Sequence, residues 1–134
     1  MRDKNKPRIL RGDIIYVNLG QKVNNSVQSG VRPCVVISNN VSNNKSDILN
    51  IYPFTTKLKK NPVHEVIKPG DVKGYFQADS DFLGEQPMTV GYNQVVSKVG
   101  HIDEKSLVMK RIEKAILYQY GMLAKEGDTI DEKC

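Results

Sequence analysis

The chain has 134 residues, 39% apolar and 26% charged, with a formal net charge of +5. That length and composition fit one domain with its own core, and they exclude a disordered chain or a scaffold that needs disulfides or a structural metal to fold. The charge is uneven: the last ten residues set Lys125 and Lys133 against Glu126, Asp128, Asp131 and Glu132, so the remainder carries +7. Such an excess favours a polyanionic partner, nucleic acid first, although lysines that merely keep a small domain soluble give the same count. No apolar run approaches the ~20 residues of a membrane span, and the charged stretch from Met1 to Arg11 lacks an apolar signal core. Cys34 and Cys134 are the only cysteines, which is no disulfide framework and suits a reducing cytoplasm. The expectation is a cytoplasmic protein with no membrane partner.

Residues 1–10 read as a basic lead, 11–124 as a single domain and 125–134 as an acidic tail prone to fray. In chain order, Asp13–Asn18 is a short run of β-formers introduced by Arg11-Gly12. Residues 20–30 are polar and rich in turn formers, and predict a mobile loop. Pro33 then opens residues 34–38, apolar enough for a strand buried on both faces. A second polar loop is expected over 39–47, a third strand over 48–54 stopped by Pro53, and a basic turn over 55–62. Further strands are expected at 63–67 and 81–85, separated by a Pro69-Gly70 turn, with a short one at 99–102. Asp103 can cap a helix in which Met109, Ile112, Ile116, Tyr120 and Leu123 recur at steps of 3, 4, 4 and 3, ending near Gly121. Short strands followed by one helix predict a mainly β fold, a small and strongly bent antiparallel barrel or sheet carrying a C-terminal α-helix.

The chemistry is narrowed first by subtraction. His64 and His101 lie far apart and belong to no metal-ligand arrangement, and no Walker loop or dinucleotide glycine fingerprint is present. Cys34, leading a valine run, reads as a buried small hydrophobe rather than a nucleophile. The two histidines could form an acid–base pair of ribonuclease type, or each could be an ordinary half-exposed strand residue. More distinctive is Gly30-Val31-Arg32-Pro33, which places an arginine where a flexible polar loop meets a buried strand. Thr55-Thr56-Lys57 ends the next central strand. Were neighbouring strands to bring these together, an arginine fork, a threonine donor and a lysine charge would suit a phosphodiester. Alternatively, Arg32 pairs with a carboxylate and Thr55 is a strand-end turn residue.

Longer stretches carry a resemblance. Arg11-Gly-Asp-Ile-Ile-Tyr-Val-Asn-Leu19, Ser26-Val-Gln-Ser-Gly-Val-Arg-Pro-Cys-Val-Val-Ile-Ser-Asn-Asn40 and Ile51-Tyr-Pro-Phe-Thr-Thr-Lys57 resemble the MazF/PemK family of toxin endoribonucleases. So do Val63-His-Glu-Val-Ile67, Phe82-Leu-Gly-Glu-Gln-Pro-Met-Thr-Val90 and Lys98-Val-Gly-His-Ile-Asp103, all in one order. The resemblance implies an SH3-like bent barrel that forms homodimers and cuts single-stranded RNA without a metal or other cofactor. It places the catalytic arginine at Arg32 and the catalytic threonine at Thr55, with Thr56 and Lys57 beside them on the RNA. It also implies that the loop with Ser26 and Gln28 covers the RNA, while Glu85 and Gln86 read bases. Many relatives carry an arginine two residues after the glutamine; here that position is Met88, preceded by Pro87, so base preference transfers least. Residues 57–60 would guide RNA electrostatically. The expected inhibitor is an antitoxin with an acidic, disordered segment. The rival readings are a non-enzymatic toxin of CcdB type, which poisons gyrase on the same scaffold, and a nuclease-dead RNA-binding domain.

Overall fold

The computed structural model describes residues 8–21 and 25–124, so the acidic tail and most of the basic lead lie outside it. The elements run β1 (Asp13–Asn18), β2 (Val31–Val36), α1 (Asn40–Lys45), β3 (Ile48–Thr55), β4 (His64–Ile67), β5 (Lys73–Gly74), β6 (Ser80–Leu83), β7 (Met88–Gly91), β8 (Val95–His101) and α2 (Leu107–Gln119). All pairings are antiparallel, in the order β4-β6-β3-β2-β1-β8-β5, with β7 also on β3. The sheet curls into a half-barrel for two visible reasons. Strand β3 pairs with β7 through Ile48–Ile51 and with β6 through Phe54 and Thr55, so one strand serves two partners. Strand β1 shifts register against β8 between Ile14 and Ile15 and again between Tyr16 and Val17, and such irregularities bend a strand.

The central strands are apolar on both faces because both faces are covered. Alternation sends Ile14 and Val35 to one cluster with Phe54, Phe82 and the helix residues Val108, Met109, Ile112 and Ala115. It sends Ile15, Val17, Cys34 and Val36 to the other, with Leu49, Ile51, Val90 and Tyr92. Met109 and Ile112 are fully buried, each burial being worth roughly 1.5–3 kcal/mol. Arg11 ties the start of the domain to α2 through Glu113 at 2.7 Å, a half-exposed pair of minor energetic weight.

Several expectations need correction. Residues 39–47 are not all loop: α1 forms there, capped by the Asn39 side chain, which accepts from the Ser42 amide at 2.8 Å. Its weak helix formers are held by tertiary bonds, since Asn43 is wholly buried, donates to the Ser38 carbonyl and accepts from the Tyr92 hydroxyl. Strand β3 does not stop at Pro53 but runs to Thr55. Pro53 falls where β3 passes from β7 to β6, so its missing N–H interrupts no pairing on that edge. The cap of α2 is Ser106, whose hydroxyl accepts from the Met109 amide, while Asp103 turns the chain one step earlier by accepting from the Lys105 amide. Gly121, with φ of 72°, follows the helix as expected, and the expected face residues Tyr120 and Leu123 lie past its end and exposed. Strands β5 and β7 and the first half of β8 are additions to the predicted set.

Candidate active site

The loop that precedes β2 is closed at its base by the backbone. Leu19 donates to the Gly30 carbonyl and Gly30 to the Gly20 carbonyl, both at 2.8 Å. Gly30 has a φ of 74°, a conformation that favours glycine and delivers the chain into β2. Arg32 is the second residue of that strand. Cys34 lies opposite Pro53, and continuing this register two residues brings Arg32 opposite Thr55. The pairing of β2 with β3 therefore creates the juxtaposition that the spacing alone left open.

A cavity of about 230 Å³ occupies this junction, lined by Ser26, Gln28, Arg32, Thr55, Thr56 and Lys57 among others. Six of the eight expected site residues thus share one concavity. Arg32 is exposed and donates from Nε to the Ser29 carbonyl at 2.9 Å. Among the described residues no carboxylate pairs with it, so its two terminal nitrogens are uncommitted. The Thr55 hydroxyl accepts from the Lys57 amide at 3.2 Å, which leaves its O–H free to donate. A planar fork of donors beside a neutral donor and a lysine is a set that receives a phosphate's oxygens.

The other two expected residues do not line this cavity. Gln86 clasps the loop: its Oε1 accepts from the Gln28 amide at 2.9 Å and its Nε2 donates to the Ser26 carbonyl at 3.1 Å. Glu85 turns instead to His64, with Oε2 2.7 Å from Nε2. The His64 ring is 7% exposed, not half-exposed as expected, and its Nδ1 is 3.3 Å from the buried Asp81 carboxylate. Burial alone depresses the His64 pKa, but the hydrogen bond to Glu85, the Lys59 carbonyl and the charges of Glu85 and Asp81 outweigh it, so the pKa is raised. His101 lies on β8 and bonds Asp13 at 2.7 Å, so the two histidines hold different carboxylates and form no pair with each other. Asp81 was missed from sequence because an acidic residue at a strand start carries no signal of burial. Cys34 is wholly buried and desolvation pushes its pKa up to about 12, which keeps it a neutral thiol. Among the described residues no group of three or more His, Cys, Asp or Glu side chains is arranged to hold a metal ion.

Fold and site together define a small half-barrel protein with a preformed cationic notch at a strand junction. Residues 10–119 match the family described as PemK-like, MazF-like toxin of type II toxin-antitoxin system, and the chain belongs to that family. It is 32% identical over 118 residues to endoribonuclease EndoA of Bacillus subtilis, covering 86% of this chain and 97% of that protein. It is 31% identical over 114 residues to endoribonuclease MazF of Staphylococcus saprophyticus, covering 84% and 91%. Among solved structures, a mycobacterial endoribonuclease in complex with its cognate antitoxin superposes with a TM-score of 0.71 at 20% identity, covering 87% of this chain and 99% of that one. MazF from Deinococcus radiodurans does so with a TM-score of 0.69 at 15% identity, covering 89% and 100%. These likenesses support the half-barrel fold.

Proposed function

We propose that the chain is a sequence-selective endoribonuclease acting on single-stranded RNA, the toxin of a toxin–antitoxin pair. The observation that carries this reading is Arg32, free of any carboxylate among the described residues, opposite a Thr55 hydroxyl that can still donate. In the proposed reaction the ribose 2′-oxygen forms a bond to the adjacent phosphorus and the bond from phosphorus to the 5′-oxygen breaks. The 2′-hydroxyl loses a proton and the leaving 5′-oxygen gains one, giving a 2′,3′-cyclic phosphate and a 5′-hydroxyl end. Arg32 stabilises the charge that develops on the phosphorane, and Thr55 hydrogen-bonds the same phosphate. Nucleophile and leaving group both belong to the RNA, so this chemistry requires no metal.

Ser26, Gln28, Thr56 and Lys57 contact the strand from the cavity wall, and Glu85 and Gln86 read bases. The working form is a homodimer in the cytoplasm, inhibited by an antitoxin whose acidic segment occupies the RNA path. The relatives named as endoribonucleases support the RNA-cutting reading, and the mycobacterial endoribonuclease found with its cognate antitoxin supports an antitoxin partner. Incubation of the purified chain with a long RNA in EDTA tests the reading. Discrete fragments ending in 2′,3′-cyclic phosphate are expected; RNA left intact overturns it and returns the CcdB-type toxin or the nuclease-dead RNA binder.

A further inference from the structure

His64 opens β4 with its ring buried among acceptors. Nδ1 is 3.0 Å from the Lys59 carbonyl and 3.3 Å from Asp81 Oδ2, and Nε2 is 2.7 Å from Glu85 Oε2. A neutral imidazole donates from one nitrogen only and would set a lone pair against one of these oxygens. With Glu85 and Asp81 ionised, the arrangement is satisfied by the imidazolium, which donates from both nitrogens. The facing groups come from every neighbouring segment. Asp81 lies on β6 and Glu85 on the turn after it, while Lys59 and Lys60 line a cavity of about 340 Å³ beside the ring. On β4 itself, Glu65 is taken up by Arg111 of α2. The Lys59 amide also donates to Asp81 at 2.7 Å, so one ring joins the lysine turn, β6 and the Glu85–Gln86 turn.

Among the described residues Glu85 is held on one side: Oε2 is bonded to His64, while Oε1 is buried without a partner there. A carboxylate fixed at one oxygen and unsatisfied at the other can take a further donor once the turn is opened toward the strand, and the amino and imino groups of nucleobases are donors of that kind. We infer that His64, as an imidazolium, is a positioning residue for RNA recognition, locking the Glu85–Gln86 turn and the lysine turn in the geometry that receives the strand. The inference rests on the reading of Glu85 and Gln86 as base contacts.

The sign follows from the direction of the shift. A His pKa raised by its partners means that the clamp is complete below the ordinary histidine value and is lost as pH rises through the higher value in the folded protein. RNA affinity therefore falls with rising pH through this one group. The test uses the full chain and a short RNA spanning a mapped cut site, made uncleavable by one 2′-deoxy substitution, at constant ionic strength. From about pH 6 to about pH 9 the parent Kd rises about tenfold, whereas His64→Gln binds more weakly at low pH and its Kd is flat. By linkage, RNA must also raise the titration midpoint of His64 followed by NMR in the parent protein, a readout that survives if the variant does not fold. A parent that cuts RNA with a flat Kd, or a His64 midpoint unmoved by RNA, overturns the inference and leaves the nuclease reading standing. A protein that neither binds nor cuts RNA at any pH overturns the reading and the inference together.

Discussion

At the scale of single residues the proposed site divides its labour by chemistry. Among the described residues the guanidinium of Arg32 is held by one bond to the Ser29 carbonyl, and in the proposed reaction its remaining donors meet charge that appears only as the phosphorane forms. Arg32→Ala should therefore slow single-turnover cleavage at saturating enzyme by about 100- to 1000-fold while RNA binding changes much less. Arg32→Lys should restore little, because a point charge does not reproduce the two-pronged contact. Thr55→Ala should cost less than Arg32→Ala, since it removes a neutral hydrogen bond to the same phosphate. An Arg32→Ala protein that cuts at the parent rate would make Arg32 a structural residue.

At the scale of elements, the loop before β2 and the turn after β6 are joined by one side chain. The two bonds of Gln86 to the loop backbone use the same donor and acceptor that would read a base, so RNA has to displace the loop before Gln86 is free. Gln86→Ala should loosen the loop, speeding hydrogen exchange at the Gln28 amide by about tenfold. The same change should blur the choice of cut sites on a long RNA. Exchange no faster than the parent's, with an unchanged cleavage pattern, would contradict both roles.

This is also the scale at which sequence was most and least informative. Strand β1 was legible to the residue, because a run of β-formers bounded by Gly12 and a polar loop has one reading. The convergence of Arg32 and Thr55 was legible as a condition, since apolar runs specified β2 and β3 but not that they pair in this register. Helix α1 was hidden because Asn40, Asn43 and Asn44 are weak helix formers, and what fixes Asn43 is Ser38 and Tyr92, remote or non-helical in sequence. His64 was visible as a residue but not as a clamp. Its role depends on Asp81 and Glu85 arriving from the neighbouring strand and turn.

At the scale of the whole molecule, the cationic excess outside the tail includes three lysines in the turn at 57–60, Lys57, Lys59 and Lys60. Lys59 and Lys60 line an open cavity beside the site. Neutralising both side chains should weaken RNA binding and make its salt dependence shallower, with the cleavage rate at saturation little changed. A salt slope equal to the parent's would show that RNA takes another path. An acidic antitoxin segment following the same path should compete with RNA and release as salt rises. Simultaneous, independent binding of both would contradict a shared path.

The proposed reaction requires that the cavity between Arg32 and Thr55 cut RNA by using the RNA's own 2′-hydroxyl. The most direct measurement compares a short RNA spanning a mapped cut site with the same strand carrying a single 2′-deoxy nucleotide at the position that supplies that hydroxyl, both in EDTA. The first is expected to be cut to a 2′,3′-cyclic phosphate and a 5′-hydroxyl, and the second to be bound but left whole. Cleavage of the deoxy-substituted strand at the same bond would contradict the proposed reaction.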